Sequence, residues 1–273
     1  MILSVTLNPS VDNTLYVDGL SSNDTNRVLK AETDAGGKGV NLSRVAAALG
    51  AETVATGFLG GKHGAFVCAV LDLQGVKHGF VQASEETRTN FSVEDGSGMP
   101  PTTFNAKGPS IDEREWNLLV DRISDLASGA SWVTLGGSLP PGVPVDAYKT
   151  LCEIAKKKGA KVALDADGEP LRQGLEGRPH FFKPNGREAG RLLGRTVESV
   201  DDAIYAAEEL RQYLEDKGIC VVSLGADGAV MACGEGTFVG KGIEVEAKST
   251  IGSGDSMVAA MLVWLERGGT APE

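Results

Sequence analysis

Short β-branched apolar runs alternate along this chain with stretches in which apolar residues recur at helical spacing. Ile2–Leu7 reads as a strand, and Gly39–Leu49 as a helix with Val40, Val45, Ala48 and Leu49 on one face. Thr53–Phe58 is a predicted strand and Ala65–Leu73 a helix. The pattern goes on through a helix at 112–127, a strand at 132–135, a helix at 145–158, strands at 161–165 and 180–183 and a helix at 200–217. A strand at 219–224 leads to a hairpin-like region at 228–247, and a last helix runs from about 254 to 267. Alternation of this kind predicts an α/β fold with a mostly parallel central sheet flanked by helices. KVALDA and ICVVSL are apolar almost throughout, as parallel strands covered on both faces should be.

Two segments break the rhythm. Residues 10–35 hold the first strand far from its helix, and residues 87–107 alternate like exposed antiparallel strands around a Gly/Pro turn. Together they predict a small β-sheet lid over the C-terminal edge of the main sheet, where open α/β folds bind ligands. A pair of irregular surface loops is the plainer alternative. No linker separates independent domains, so residues 1–273 are expected to form one domain.

Composition narrows the function classes. The 37 acidic against 26 basic residues give a net charge of −11, which argues against nucleic-acid partners. The longest apolar runs, such as Met257 to Leu265, are too short to span a bilayer, so no membrane partner is expected. The start MILSVTLNPS has no basic segment or small-residue cleavage site, and Cys68, Cys152, Cys220 and Cys233 show no C-x-x-C spacing. A cytoplasmic protein with buried thiols is the expectation. Glycine is 36 of 273 residues, about 13% against a usual ~7%, and it collects singly or in pairs at the ends of apolar runs. There it lets the backbone turn sharply or approach a ligand.

Several of those glycine turns carry candidate chemistry. In Ser249–Asp255 a G-x-G-D run enters a helix, placing backbone N–H groups at the positive helix end, where an anion is stabilised. Asp255 is a favoured helix cap, and the cap is the simpler reading. It would equally suit a base that takes a proton from an attacking hydroxyl beside that anion site. Asp34–Asn41 sets three glycines around Lys38 at a helix start, with Asn41 one turn away, but it is not a Walker A loop. In Lys183–Glu188, Asn185 and Glu188 share a helix face. They can form a capping box, hold magnesium through waters and phosphates, or do both. Ser223–Gly228 ends a buried strand as a hairpin turn or a nucleotide shelf, and Gly136–Gly142 is too rigid for a generic turn. Asp12 follows the first strand, and Arg88 and Asn90 open the lid, Arg88 offering the cation that a phosphate ester needs. His63, His78 and His180 read as structural.

In combination and order, TLNPSVDNT, GGKGVN, TRTN, GGSLPPG, KPNGREA, VSLGADGA and TIGSGD resemble the ribokinase-like PfkB carbohydrate kinases. TLNPSVD and GGSLPPG look most like the sugar-phosphate branch, the 1-phosphofructokinase and tagatose-6-phosphate kinase group. The resemblance implies ATP-dependent phosphorylation of a ketohexose monophosphate, first of all fructose 1-phosphate to the 1,6-bisphosphate. Tagatose 6-phosphate and fructose 6-phosphate are the alternative substrates, and a non-catalytic sugar-phosphate binder is the alternative class. It implies Asp255 as base with Gly252, Ser253 and Gly254 as anion hole. Asp12, Gly37, Lys38, Asn41, Arg88, Asn90 and Ser138 would hold the sugar phosphate. Lys183, Asn185, Ser223, Gly225 and Gly228 would face ATP, with Asn185 and Glu188 organising Mg2+. It leaves open whether a monovalent cation assists, and it implies a homodimer paired through the lid. Members of the family usually continue with further C-terminal helices that close the adenine side, and those helices are expected to be missing here, since the sequence ends soon after the helix that follows Asp255.

Overall fold

The computed structural model describes residues 1–97, 101–243 and 252–271. Residues 98–100, within the expected Gly/Pro turn, residues 244–247 of the expected hairpin-like region, and Ser249–Ile251 of the G-x-G-D segment lie outside the described residues.

In chain order the elements are β1 (Ile2–Thr6), β2 (Ser10–Val17), β3 (Val28–Gly36), α1 (Lys38–Ala48), β4 (Thr53–Leu59) and α2 (Gly61–Leu73). They continue with β5 (Lys77–His78), β6 (Val81–Gln82), β7 (Arg88–Glu94), β8 (Thr102–Phe104), α3 (Glu113–Ala127) and β9 (Trp132–Gly136). Next come α4 (Ala147–Lys157), β10 (Lys161–Asp165), α5 (Gly168–Glu176), β11 (Phe181–Phe182), α6 (Gly186–Leu193) and α7 (Val200–Arg211). The last are β12 (Ile219–Ser223), β13 (Ala229–Cys233), β14 (Gly236–Gly240) and α8 (Ser253–Glu266).

The main sheet runs β14-β13-β12-β11-β10-β9-β1-β4-β5, with β6 also on β4. It is parallel from β12 to β5 and antiparallel only through β12, β13 and β14. Strict alternation explains the two covered faces. Leu3, Val5, Val133, Leu135, Val162, Leu164, Phe182 and Val222 pack with α3, α4, α5 and α7 on one side. Ile2, Trp132, Ala163, Phe181 and Val221 pack with α1 and α8 on the other.

The four-stranded second sheet, β3-β2-β7-β8, is built from the two segments that broke the sequence rhythm. Parallel pairing of β2 with β7 sets Ser10 opposite Arg88 and Asp12 opposite Asn90. One of its faces presents Asp12, Thr14, Tyr16, Glu32, Asp34, Asn90, Ser92 and Glu94 to a cavity of about 920 Å³ against α1. The opposite face carries the cross-strand pair Phe91 and Phe104, 43% and 59% exposed.

Several expectations shift in detail. α5 has no counterpart in the sequence reading. The helix expected at 200–217 ends at Arg211, and the strand expected at 180–183 shrinks to Phe181–Phe182. Cys152, Cys220 and Cys233 are buried thiols, but Cys68 on α2 is only half-buried. No helix among the described residues is long and apolar enough to cross a membrane.

Candidate active site

Parallel strands end together, so the loops that follow them share one edge. Asn8 follows β1, Ser138 follows β9, Asp165 ends β10, Lys183 follows β11 and Ser223 ends β12. The N-termini of α1 and α8 point to the same edge and bring Lys38, Asn41 and Asp255 to it.

Asp255 is not the cap of α8. Gly252 is the N-cap, at φ +78°, a backbone state that glycine adopts without strain, and no side chain caps the helix. The Asp255 carboxylate instead accepts a 2.9 Å hydrogen bond from Asn41 Nδ2. Only 8% of the residue is exposed. Burial raises its pKa to about 6, with Asp165 adding to the rise and Asn41, Lys38 and Lys183 opposing it. A β-carbon at Gly254 would stand 3.3 Å from Lys183 Nζ, so this buried lysine lies against the first turn of the helix.

Lys38 makes a 2.6 Å ion pair with Asp165. Burial works to lower the Lys38 pKa, but Asp165, with help from Glu188 and Asp255, outweighs it and leaves it raised. Lys38, Asp165 and Asp255 border one small cavity beneath the edge. Asp165 is the functional candidate that sequence reasoning missed. The available signal was an acid closing an otherwise apolar strand at the ligand-binding edge.

Toward β1 the other candidates gather around Asn8. Its amide donates to Ser138 Oγ at 3.1 Å and to the Lys107 carbonyl at 2.9 Å. Arg88 donates to the carbonyls of Ala106 and Asn8 at 2.8 and 2.9 Å. Asp12 accepts from Ser10 Oγ at 2.6 Å and from Asn90 Nδ2 at 2.9 Å. Gly36 permits this, because a β-carbon there would lie 2.0 Å from the Asp12 carboxylate. Gly37 is the N-cap of α1, directly before Lys38.

Toward β12, Asn185 and Glu188 form a reciprocal capping box on α6, with bonds of 2.8 and 2.9 Å. They line a cavity of about 1130 Å³ together with Ser223 and Gly225. Gly228 does not line it and closes the turn after Gly225, where a side chain would strike the Gly240 carbonyl at 2.1 Å. Among the described residues no group of three His, Cys, Asp or Glu side chains is arranged to hold a metal. His63, His78 and His180 lie outside these clusters, making local contacts with Thr87, Asp72 and the Val162 amide.

This edge therefore holds a buried carboxylate at a helix N-terminus between two open cavities, one toward β12 and one toward β1. Residues 5–273 match the pfkB family of carbohydrate kinases. The chain belongs to that family. A curated relative is 1-phosphofructokinase from Rhodobacter capsulatus, 35% identical over 262 residues, which are 96% of this chain and 82% of the relative. Among solved structures, the tetrameric inhibited form of phosphofructokinase-2 from Escherichia coli has a TM-score of 0.90 at 32% identity, over 98% of this chain and 88% of that one. The same enzyme in complex with fructose-6-phosphate has a TM-score of 0.88 at 30% identity, again over 98% and 88%. As a pfkB-family protein the chain is a carbohydrate kinase with the ribokinase-like architecture, its small sheet standing beside the main one.

Proposed function

We propose that this chain transfers the γ-phosphoryl group of ATP to a ketohexose monophosphate, with fructose 1-phosphate as the leading acceptor and fructose 1,6-bisphosphate as product. The observation that carries the reading is Asp255, a buried carboxylate with a raised pKa at the start of α8 and between two cavities. The 1-phosphofructokinase relative at 35% identity favours fructose 1-phosphate. The likeness to phosphofructokinase-2 bound to fructose-6-phosphate supports fructose 6-phosphate as the second reading.

In the proposed reaction Asp255 takes the proton of the acceptor hydroxyl. That oxygen attacks the γ-phosphorus in line, the bond from the γ-phosphorus to the bridging oxygen breaks, and ADP leaves. The turn Gly252–Ser253–Gly254 is the proposed anion hole for charge gathering on the transferred group, with Lys183 beside it. Lys38, Asn41, Gly37, Asp12, Asn90, Arg88 and Ser138 are assigned to the sugar phosphate. Lys183, Asn185, Ser223, Gly225 and Gly228 are assigned to ATP, Gly228 by shaping the turn.

A magnesium ion fits the hard oxygen donors at the start of α6. The capping box engages only one oxygen of Glu188, and the second accepts no hydrogen bond from the described residues. Glu188 and Asn185 would hold the ion largely through waters and the ATP phosphates. When bound, it supplies charge neutralisation on the nucleotide phosphates. The test is ADP release with fructose 1-phosphate, tagatose 6-phosphate and fructose 6-phosphate under Mg-ATP, repeated with EDTA. Release with none of the three would sink the reading.

The Asp255 environment sets an expected pH profile. A base must be deprotonated to act, so kcat/KM rises with pH through about 6 and is level above it. Asn41 favours the charged carboxylate, so Asn41→Ala moves that rise to higher pH. A profile unmoved by Asn41→Ala would show that another group controls it.

The apolar outer face around Phe91 and Phe104 is proposed to pair two copies of the chain through the lid. Phe104→Asp should then halve the mass seen in sedimentation velocity, whereas a monomeric wild type would refute the pairing.

A further inference from the structure

Two cavities flank the small sheet, and they differ in charge. The one against α1 is walled by the carboxylates Asp12, Glu32, Asp34 and Glu94. Its arginine, Arg44, is neutralised by Asp34 at 3.0 Å. The second, of about 580 Å³, opens between Arg88, Lys107 and the loop beginning at Ser138, and no carboxylate lines it. We propose that Lys107 is a binding residue for the phosphate that the sugar already carries, acting with Arg88 from the rim of this second cavity. The inference rests on the sugar-phosphate kinase reading above and adds to it a residue outside every motif that suggested that reading.

Three observations carry it. First, one buried side chain fixes the geometry. Asn8 is only 3% exposed, and its amide holds both the Lys107 carbonyl and Ser138 Oγ, so these two residues are tied to the same point. Second, neither cation there is held in an ion pair. Arg88 spends its terminal nitrogens on two carbonyls, and its Nε is buried without a hydrogen bond. Among the described residues it makes no ion pair, the nearby Asp12 carboxylate accepting from Ser10 and Asn90 and acting on it only through space. Lys107 is exposed and is likewise in no ion pair among the described residues. Two cations outside any ion pair, facing a cavity that no carboxylate lines and beside a serine hydroxyl, suit a dianionic phosphate monoester, whereas the four-carboxylate cavity would repel one.

Third, the position is right for the chemistry. Asp165 borders the same small cavity as Asp255 and ends β10, which is two strands from β1, the strand that Asn8 follows. Two strand spacings are about 10 Å. A ketohexose phosphate can therefore present a hydroxyl near Asp255 while its phosphate reaches Lys107 and Arg88. The acid-walled cavity between lid and α1 is left for uncharged parts of the sugar.

The experiment uses the full chain and two measurements, KM for fructose 1-phosphate with Mg-ATP and its Kd by calorimetry without ATP. Lys107→Ala should raise both about 5–20-fold, the loss of one charge-assisted contact. It should leave kcat within about twofold and KM for unphosphorylated fructose unchanged, and Lys107→Arg should recover the affinity. An unchanged Kd in Lys107→Ala with a wild-type melting temperature overturns the proposal, as does equal weakening for fructose. A wild type that binds fructose 1-phosphate but releases no ADP refutes the kinase reading alone, and the calorimetric comparison then decides Lys107. A wild type that binds no ketohexose phosphate overturns both.

Discussion

Asp255→Asn lowers kcat by about 10²–10⁴-fold and leaves KM for ATP and for the sugar phosphate within a few-fold, because it removes a proton acceptor used only in the transition state. The isosteric amide can still meet Asn41, so the change is electrostatic more than steric. The same substitution should stabilise the protein. Asp255 titrates at about 6 in the folded chain, above its unfolded value, so the folded state holds the proton more tightly. Stability from this group is therefore greatest below about pH 4 and falls as pH rises to about 6, a cost on the order of 3 kcal/mol that persists above it. An Asn there carries no such cost. Urea denaturation at pH 7.5 should show the variant more stable by about 1–3 kcal/mol, and the difference should vanish near pH 4. A variant that is both inactive and destabilised at pH 7.5 would mean that Asp255 is a structural residue. Gain of stability with loss of turnover is what a group kept charged for chemistry predicts.

How much of this was legible in the sequence depends on whether the cause is local. The parallel strands could be read because burial on both faces leaves them almost wholly apolar, as in KVALD and ICVVS. The β7–β8 half of the small sheet was legible for the opposite reason, since one polar face imposes alternation there, whereas β2 and β3 showed only as an overlong gap between the first strand and its helix. α5 was not. GEPLRQGLE contains a proline and two glycines, poor helix formers, and the helix is held by an Asp167 cap and by burial of Leu171 and Leu175. The site divides along the same line. The capping box of Asn185 and Glu188 lies within four residues and could be read directly. The role of Asp255 could not be separated from a cap, because the partner that takes its carboxylate, Asn41, is 214 residues away. Asp165 was invisible for a like reason, its partner Lys38 lying 127 residues back along the chain. Spacing fixes what residues on one element can share. Only the crossover connections decide which strand ends become neighbours.

Arg88→Ala should do two things at once, and the pairing of effects tests whether Arg88 binds substrate or only braces the lid. Its guanidinium ties the start of β7 to the carbonyl of Asn8 after β1 and to that of Ala106 after β8. Losing both bonds strands two carbonyls beside the sheet edge and should cost about 1–3 kcal/mol, seen as a lower urea midpoint. As the more buried cation of the second cavity, it should also cost about 10–100-fold in KM for fructose 1-phosphate, with a much smaller change for fructose. Arg88→Lys separates the two. An ammonium restores the charge at one point but cannot make both carbonyl bonds and face the cavity together, so it should regain part of the affinity and little of the stability. Equal changes in KM for the phosphorylated and the neutral sugar would make Arg88 a strut of the fold. The phosphate would then rest on Lys107 and Ser138 without it, and Lys107→Ala in the Arg88→Ala background should abolish discrimination between the two sugars. If Arg88 does bind the phosphate, the two residues share one ligand and their losses should fall short of additive.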